Sequence, residues 1–210
     1  MTTGLTPELI GQLRANTVEF EKSVIYQQIV DPRDQVLARF QPLFLMDHIP
    51  AIGAEEFKSF LLCENNCHWS GLHRQGTRMC LDMMKLRRGL STLLAEHRPL
   101  AERLDGAVND VSGMGKNIAT AILLIAHPDK YGVWNSRSEA QMRQLGVWPA
   151  FERGESIGAR YAKVNQVLLQ IRDALETDLW ALDALWWFLD QTSEVASDEG
   201  TSEILELAGQ

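Results

Sequence analysis

The 210-residue chain is predicted to fold as an all-α protein. Apolar residues recur at intervals of three and four in one segment after another, and no stretch shows the strict alternation of a half-buried strand. The punctuation agrees: Thr6-Pro7 and Asp31-Pro32 are cap-and-first-turn pairs, and Gly146 is a stop signal after a helical run. With 45% hydrophobic residues the chain can bury one substantial core, or two small lobes sharing one. One helical unit from residue 1 to about 192 is expected, followed by a tail over 193–210 that holds acidic residues and no basic one. No internal repeat is visible.

Taken in order, the first helix starts at Thr6-Pro7 and buries Ile10, Leu13, Thr17, Phe20 and Val24. Asp31-Pro32 opens a short helix through Phe40, Pro42 and Pro50 break the chain into loops, and a third helix covers Ala54 to Leu62. A long helix is expected from Thr77 to Glu96, with Met79, Met83, Leu86, Leu90, Leu93 and Leu94 buried and Arg78, Lys85, Arg87 and Arg88 outside. Another run, Arg137 to Leu145, is stopped by Gly146. Ser156 to Leu175 is amphipathic, and Leu179 to Leu189 is apolar enough to be a core helix.

Composition narrows the function classes. No apolar run approaches the ~20 residues of a membrane span, so no membrane partner is expected. The amino-terminal M-T-T-G-L-T-P-E lacks the basic and apolar regions of a signal peptide, and three cysteines cannot all pair within the chain. Both point to a cytoplasmic protein. Cys63, Cys67, His68, His73 and Cys80 are of zinc-binding type but lack a recognisable spacing, so no metal is expected there. The net charge of −8 argues against nucleic acid until its distribution is considered. Residues 68–143 carry 11 Lys/Arg against 7 Asp/Glu, and the remainder is strongly acidic. A basic middle between acidic ends can still present a cationic face.

Two stretches carry candidate chemistry. The first, Glu64 to Gln75, packs two Asn, two His, Trp69, Arg74 and Gln75 into a loop entering a helix. Trp69 can stack on a base while Arg74 or Gln75 meets a phosphate or a base edge. The same residues also fit a structural reading: an Asn capping a turn, Trp69 anchoring the loop, Arg74 pairing with a carboxylate. The second stretch runs from Leu104 to Arg137. Its Gly113-Met114-Gly115 turn lies between two helical patterns, which places a hairpin at about residues 104–126. The helix beginning at Gly115 or Lys116 offers free amides and the positive end of its dipole, with the Lys116 charge beside them. A dinucleotide fingerprint would need a preceding strand, and a P-loop would need Ser or Thr where Asn117 stands.

Val111-Ser112-Gly113-Met114-Gly115, followed by Ala119, resembles the hairpin of the helix-hairpin-helix DNA glycosylase superfamily. The resemblance covers about residues 100–146, and more loosely the whole helical chain. It implies two helical lobes with a cleft, and duplex DNA, damaged or modified bases included, as partner. It also implies a hairpin that grips a phosphate through its amides, with a monovalent cation the only accompanying group. Gly113, Met114, Gly115, Lys116, Asn117 and Arg137 are then the DNA contacts, and Trp69, Trp134, Asn135, Arg74 and Gln75 the base pocket. The superfamily's catalytic Asp falls on Asn135, and the Lys of its lyase members falls on Asn117. The resemblance therefore implies DNA recognition without base excision and without Schiff-base chemistry. Two alternatives stay open: excision through another carboxylate, Asp129 or Glu139, and a protein-interaction module that reuses the fold. The acidic tail is the expected place for a protein partner.

Overall fold

The computed structural model describes residues 4–192, so the acidic tail and any partner it holds lie outside the described residues. Among the described residues the chain is helical, with no strand. The helices are α1 (Pro7–Glu21), α2 (Val24–Ile29), α3 (Arg33–Phe40), α4 (Ala54–Leu61), α5 (Cys63–Asn66) and α6 (Gly76–Met79). They continue with α7 (Met83–Leu94), α8 (Leu100–Asp110), α9 (Lys116–Ala126), α10 (Ser136–Gln144), α11 (Ile157–Leu175) and α12, residues 179–192. No helix is long and apolar enough to cross a membrane, again among the described residues.

Local chemistry sets most boundaries. Thr6, Ser23, Asp82, Asn135 and Ser156 each accept a backbone N–H three residues on, closing the first turn of α1, α2, α7, α10 and α11. The single long helix expected over Thr77–Glu96 is instead two, α6 and α7. Asp82 interrupts it, because its carboxylate caps the Lys85 amide and restarts the chain as a new helix. Leu81 and Met84, beside the break, are exposed.

The centre of the core is α9. Every residue from Ile118 to Ile125 is buried, apolar on every side but for Thr120. The hairpin partner α8 packs between α7 and α11. Gly158 makes the α8–α11 approach feasible: a β-carbon there would sit 2.0 Å from the Ala101 carbonyl oxygen. After α9 the chain crosses the interior as an irregular segment, Tyr131–Trp134, all buried. Buried backbone must be paired, and side chains do the pairing. Asn165 accepts the Gly132 amide at 2.8 Å, the Tyr161 hydroxyl donates to the Gly132 carbonyl at 2.7 Å, and Thr120 accepts the Trp134 amide at 3.1 Å. Those bonds fix where Asn135 emerges. On the other flank, Phe40, Phe44, Phe60, Trp69 and Trp180 form a chain of ring contacts beneath the loop after α5.

Candidate functional site

The two informative stretches of sequence meet. A cavity of about 780 Å³ lies between the loop following α5, the hairpin, the start of α10 and one residue of α12. Arg74, Gln75, Trp69 and His68 contribute from the loop, Gly113 to Ile118 from the hairpin, Asn135 to Arg137 from α10, and Trp187 from α12.

The loop is shaped by Asn66. Its buried side chain accepts the amides of His68 and Trp69 at 2.9 and 2.8 Å and donates to the Phe60 carbonyl at 3.0 Å. This turns His68 and Trp69 inward, so Trp69 is an anchor with its ring against Phe60 and Trp180. Arg74 has the opposite fate. It is exposed, and its side chain has no ion-pair or hydrogen-bond partner among the described residues. The carboxylate partner that a structural reading would give it is not there.

The hairpin carries its glycine where the backbone requires one: Gly113 has φ +93°, a region L-residues avoid. The amide donors differ from the expectation. Met114 donates to the Val111 carbonyl at 3.0 Å and Gly115 to the Gly113 carbonyl at 3.1 Å, so both are spent inside the turn. The free amides are those of Lys116, Asn117 and Ile118, the first turn of α9, because Gly115 has no side chain to cap them. The charge beside them is also shared. Lys116 Nζ lies 2.9 Å from Glu139 Oε2 and 3.9 Å from the centre of the Trp134 ring.

Three sequence candidates fall outside the cavity, and each has a physical reason. Trp134 is buried, packs its ring against Trp148 and Phe151, and donates its indole N–H to Glu139 at 3.0 Å. Asp129 is exposed in the turn after α9, and its carbonyl accepts from Arg172. Glu139 joins Lys116, Trp134 and Arg143 in one ionic cluster. Burial works to raise its pKa, but hydrogen bonds from those three groups hold the carboxyl down to about 2. A pKa lowered on folding contributes stability above the ordinary value near 4.5, lost as pH falls toward 2. Glu139→Gln is therefore expected to cost about 1–2 kcal/mol at pH 7 and nothing measurable at pH 2, read from urea midpoints at the two pH values. An equal cost at both would show that the ionised form is not what the cluster uses.

The aromatic facing the cavity in place of Trp134 is Trp187, with the Arg137 guanidinium stacked 3.9 Å from its ring centre. Arg137 also holds Asp190 at 3.0 Å. The guanidinium over the indole is a cation–π contact at the cavity wall.

Asn135 is the N-cap of α10, its Oδ1 accepting the Ser138 amide at 2.9 Å. Its Nδ2 donates to Asp183 Oδ1 at 3.1 Å. Asp183 is 4% exposed, and its other oxygen lies 2.7 Å from His68 Nε2 and 2.9 Å from Trp69 Nε1. Burial drives the two charges away in opposite directions. Asp183 is pushed up to about 7 against the opposing bonds from Trp69 and Asn135, and His68 is pushed down to about 3. Asp183 escaped the sequence reading because it sits in L-W-A-L-D-A-L-W-W, read as a core helix. The signal was available: an acidic side chain on an all-apolar helix must be given partners when it is buried.

No family model, curated protein or solved structure matches the chain.

Proposed function

We propose that this protein binds DNA in the cleft and recognises an unpaired or displaced nucleotide there without excising its base. Its architecture would be that of the helix-hairpin-helix glycosylases, with one lobe on either side of the cavity. One observation carries the reading. The cavity is lined by Arg74, Lys116 and Arg137, by the amides Gln75, Asn117 and Asn135, and by Trp69 and Trp187, and among the described residues no Asp or Glu lines it. In a chain with net charge −8, a sizeable cavity free of carboxylates favours an anionic ligand. The three free amides at the start of α9 suit a phosphate, and the Arg137–Trp187 stack suits a base. The Val111 and Gly113 carbonyls each accept one amide and keep a second lone pair, which fits an oxygen-liganded monovalent cation at the turn.

Excision needs a carboxylate to stabilise a developing sugar cation or to activate water. Asp183 is sealed beneath the cavity with both oxygens occupied, and Asn135 offers an amide in its place. Asn117 gives no amine for a Schiff base.

The test is a DNA titration over a range of salt, on plain, methylated and abasic duplexes, with product analysis alongside. Expected are salt-sensitive binding and no base release or strand cleavage. Arg74→Glu, which disturbs no internal contact, is expected to weaken binding at least tenfold and to reduce the salt slope by about 1 or more. Multiple-turnover base release, or an Arg74→Glu protein that binds as tightly as the wild type, would overturn the reading.

A further inference from the structure

The Asn135 amide has a fixed polarity. Its oxygen meets the Ser138 N–H at 2.9 Å, and its nitrogen meets Asp183 Oδ1 at 3.1 Å. Turning the amide over would set oxygen against a carboxylate oxygen and N–H against N–H, so both neighbours enforce the same orientation. The oxygen is committed to the helix cap. The nitrogen keeps a second N–H on a residue that is part-exposed and lines the cavity. Asp183 is itself held from behind by Trp69 Nε1 and His68 Nε2, so it cannot swing away and release the amide. The positioned groups nearby have the same sense: the free N–H groups of Lys116, Asn117 and Ile118, and the guanidinium of Arg137 held by Asp190, are donors.

We infer that the cleft selects a nucleobase presenting a carbonyl oxygen over one presenting an amino group, with Asn135 as the donor and Asp183 as its positioning residue. This rests on the DNA-binding reading of the same cavity and goes beyond it in naming the base edge. The chemistry is one-sided. A keto oxygen completes the free N–H of Asn135, whereas an exocyclic amino group brings donor against donor and leaves both unpaired in a site partly closed to water. Thymine, uracil and 6-oxopurines fall in the accepted class by this edge, and adenine and cytosine in the disfavoured one.

The experiment uses the full chain and labelled single-stranded 12-mers, which need no base to be flipped before it can be read. Fluorescence anisotropy at one salt concentration compares oligo-thymidine with oligo-5-methyldeoxycytidine. These share the ring methyl and differ on the exposed edge, where the amino base replaces the carbonyl at position 4 and loses the ring N–H beside it. Wild type is expected to prefer thymidine by roughly 3- to 10-fold, the worth of one hydrogen bond. In Asn135→Ser, which still caps α10 but has no amide nitrogen, the preference should fall to within twofold. Equal binding of the two oligomers by wild type, or a preference that survives in folded Asn135→Ser, would overturn the inference and leave DNA binding standing. Failure of either oligomer, and of duplex, to bind would overturn the DNA-binding reading and the inference together. Equal binding by wild type overturns the inference even if the variant does not fold.

Discussion

Asp183→Ala is expected to lower the melting temperature by roughly 10–15 °C. Its carboxylate accepts, or shares a proton with, the Asn135 amide, the Trp69 indole and the His68 imidazole, all within 3.1 Å. Truncation strands those donors in a region with little access to water. Leaving a buried donor unpaired costs about 1–3 kcal/mol, and three donors are stranded together here. A net loss of about 4 kcal/mol is a large part of the ~5–15 kcal/mol that holds a domain folded, at roughly 2–4 °C per kcal/mol for a chain of this size. Asp190→Ala serves as the control, because it removes the half-exposed carboxylate bound to Arg137 and is expected to move the midpoint by only a degree or two. A shift below 3 °C for Asp183→Ala would mean that water replaces the carboxylate and that the network is not what fixes the loop to α12.

The same pair has a concealed pH dependence. Asp183 is raised on folding, so its contribution is present below its unfolded pKa near 3.8 and is lost as pH rises toward 7. His68 is lowered, so its neutral buried form costs stability in acid and the cost is relieved as pH rises through 6.5. Between about pH 4 and 6.5 the two slopes have opposite signs and offset each other. Burial of a carboxylic acid and an imidazole together is thus tolerated over the range in which either alone would make the fold pH-sensitive.

What the sequence displayed, and what it hid, follows from distance along the chain. The all-helical class, the glycine turn at Gly113 and the stop at Gly146 are local events, each decided by a residue's own backbone or by its near neighbours. The loop carrying Trp69, Arg74 and Gln75 was conspicuous because amides, imidazoles and an aromatic crowd into twelve residues. Its facing wall was not conspicuous. His68 and Asp183 are 115 residues apart, and nothing in either segment names the other. Trp134 and Trp187 illustrate the same limit. Both are tryptophans beside basic residues, yet Glu139 draws Trp134 into an ionic cluster while Trp187 is left facing the cavity. Only the packing of α12 against the start of α10 separates them.

Asn135→Asp places a carboxylate beside Asp183 at the start of α10, and it is expected to produce a pH-dependent defect. Aspartate caps a helix as well as asparagine does, so the bond to the Ser138 amide is kept. The other oxygen then takes the place of Nδ2, which lies 3.1 Å from Asp183 Oδ1. Two carboxylates this close in a desolvated site cannot both ionise; they hold one proton between them at a pKa belonging to the pair. Asp183 alone is already pushed up to about 7, and losing the amide donor while gaining a like charge drives the pair higher. The sign follows from linkage. The folded variant retains a proton that the unfolded chain releases near pH 4, so it is near wild-type stability below that pH and loses ground as pH rises toward the pair's own value. Each unit of raised pKa is worth about 1.36 kcal/mol and wild-type Asp183 already sits at about 7, so the variant should match wild type at pH 4 and fall about 1–1.5 kcal/mol behind it at pH 8. Urea midpoints at the two pH values read this directly. A constant difference between the proteins would show that the carboxylates move apart and ionise independently. Base release by Asn135→Asp at pH 8 would show more: that the new carboxylate faces the cavity as a free anion, and that asparagine at this position is all that separates the natural protein from an excision enzyme.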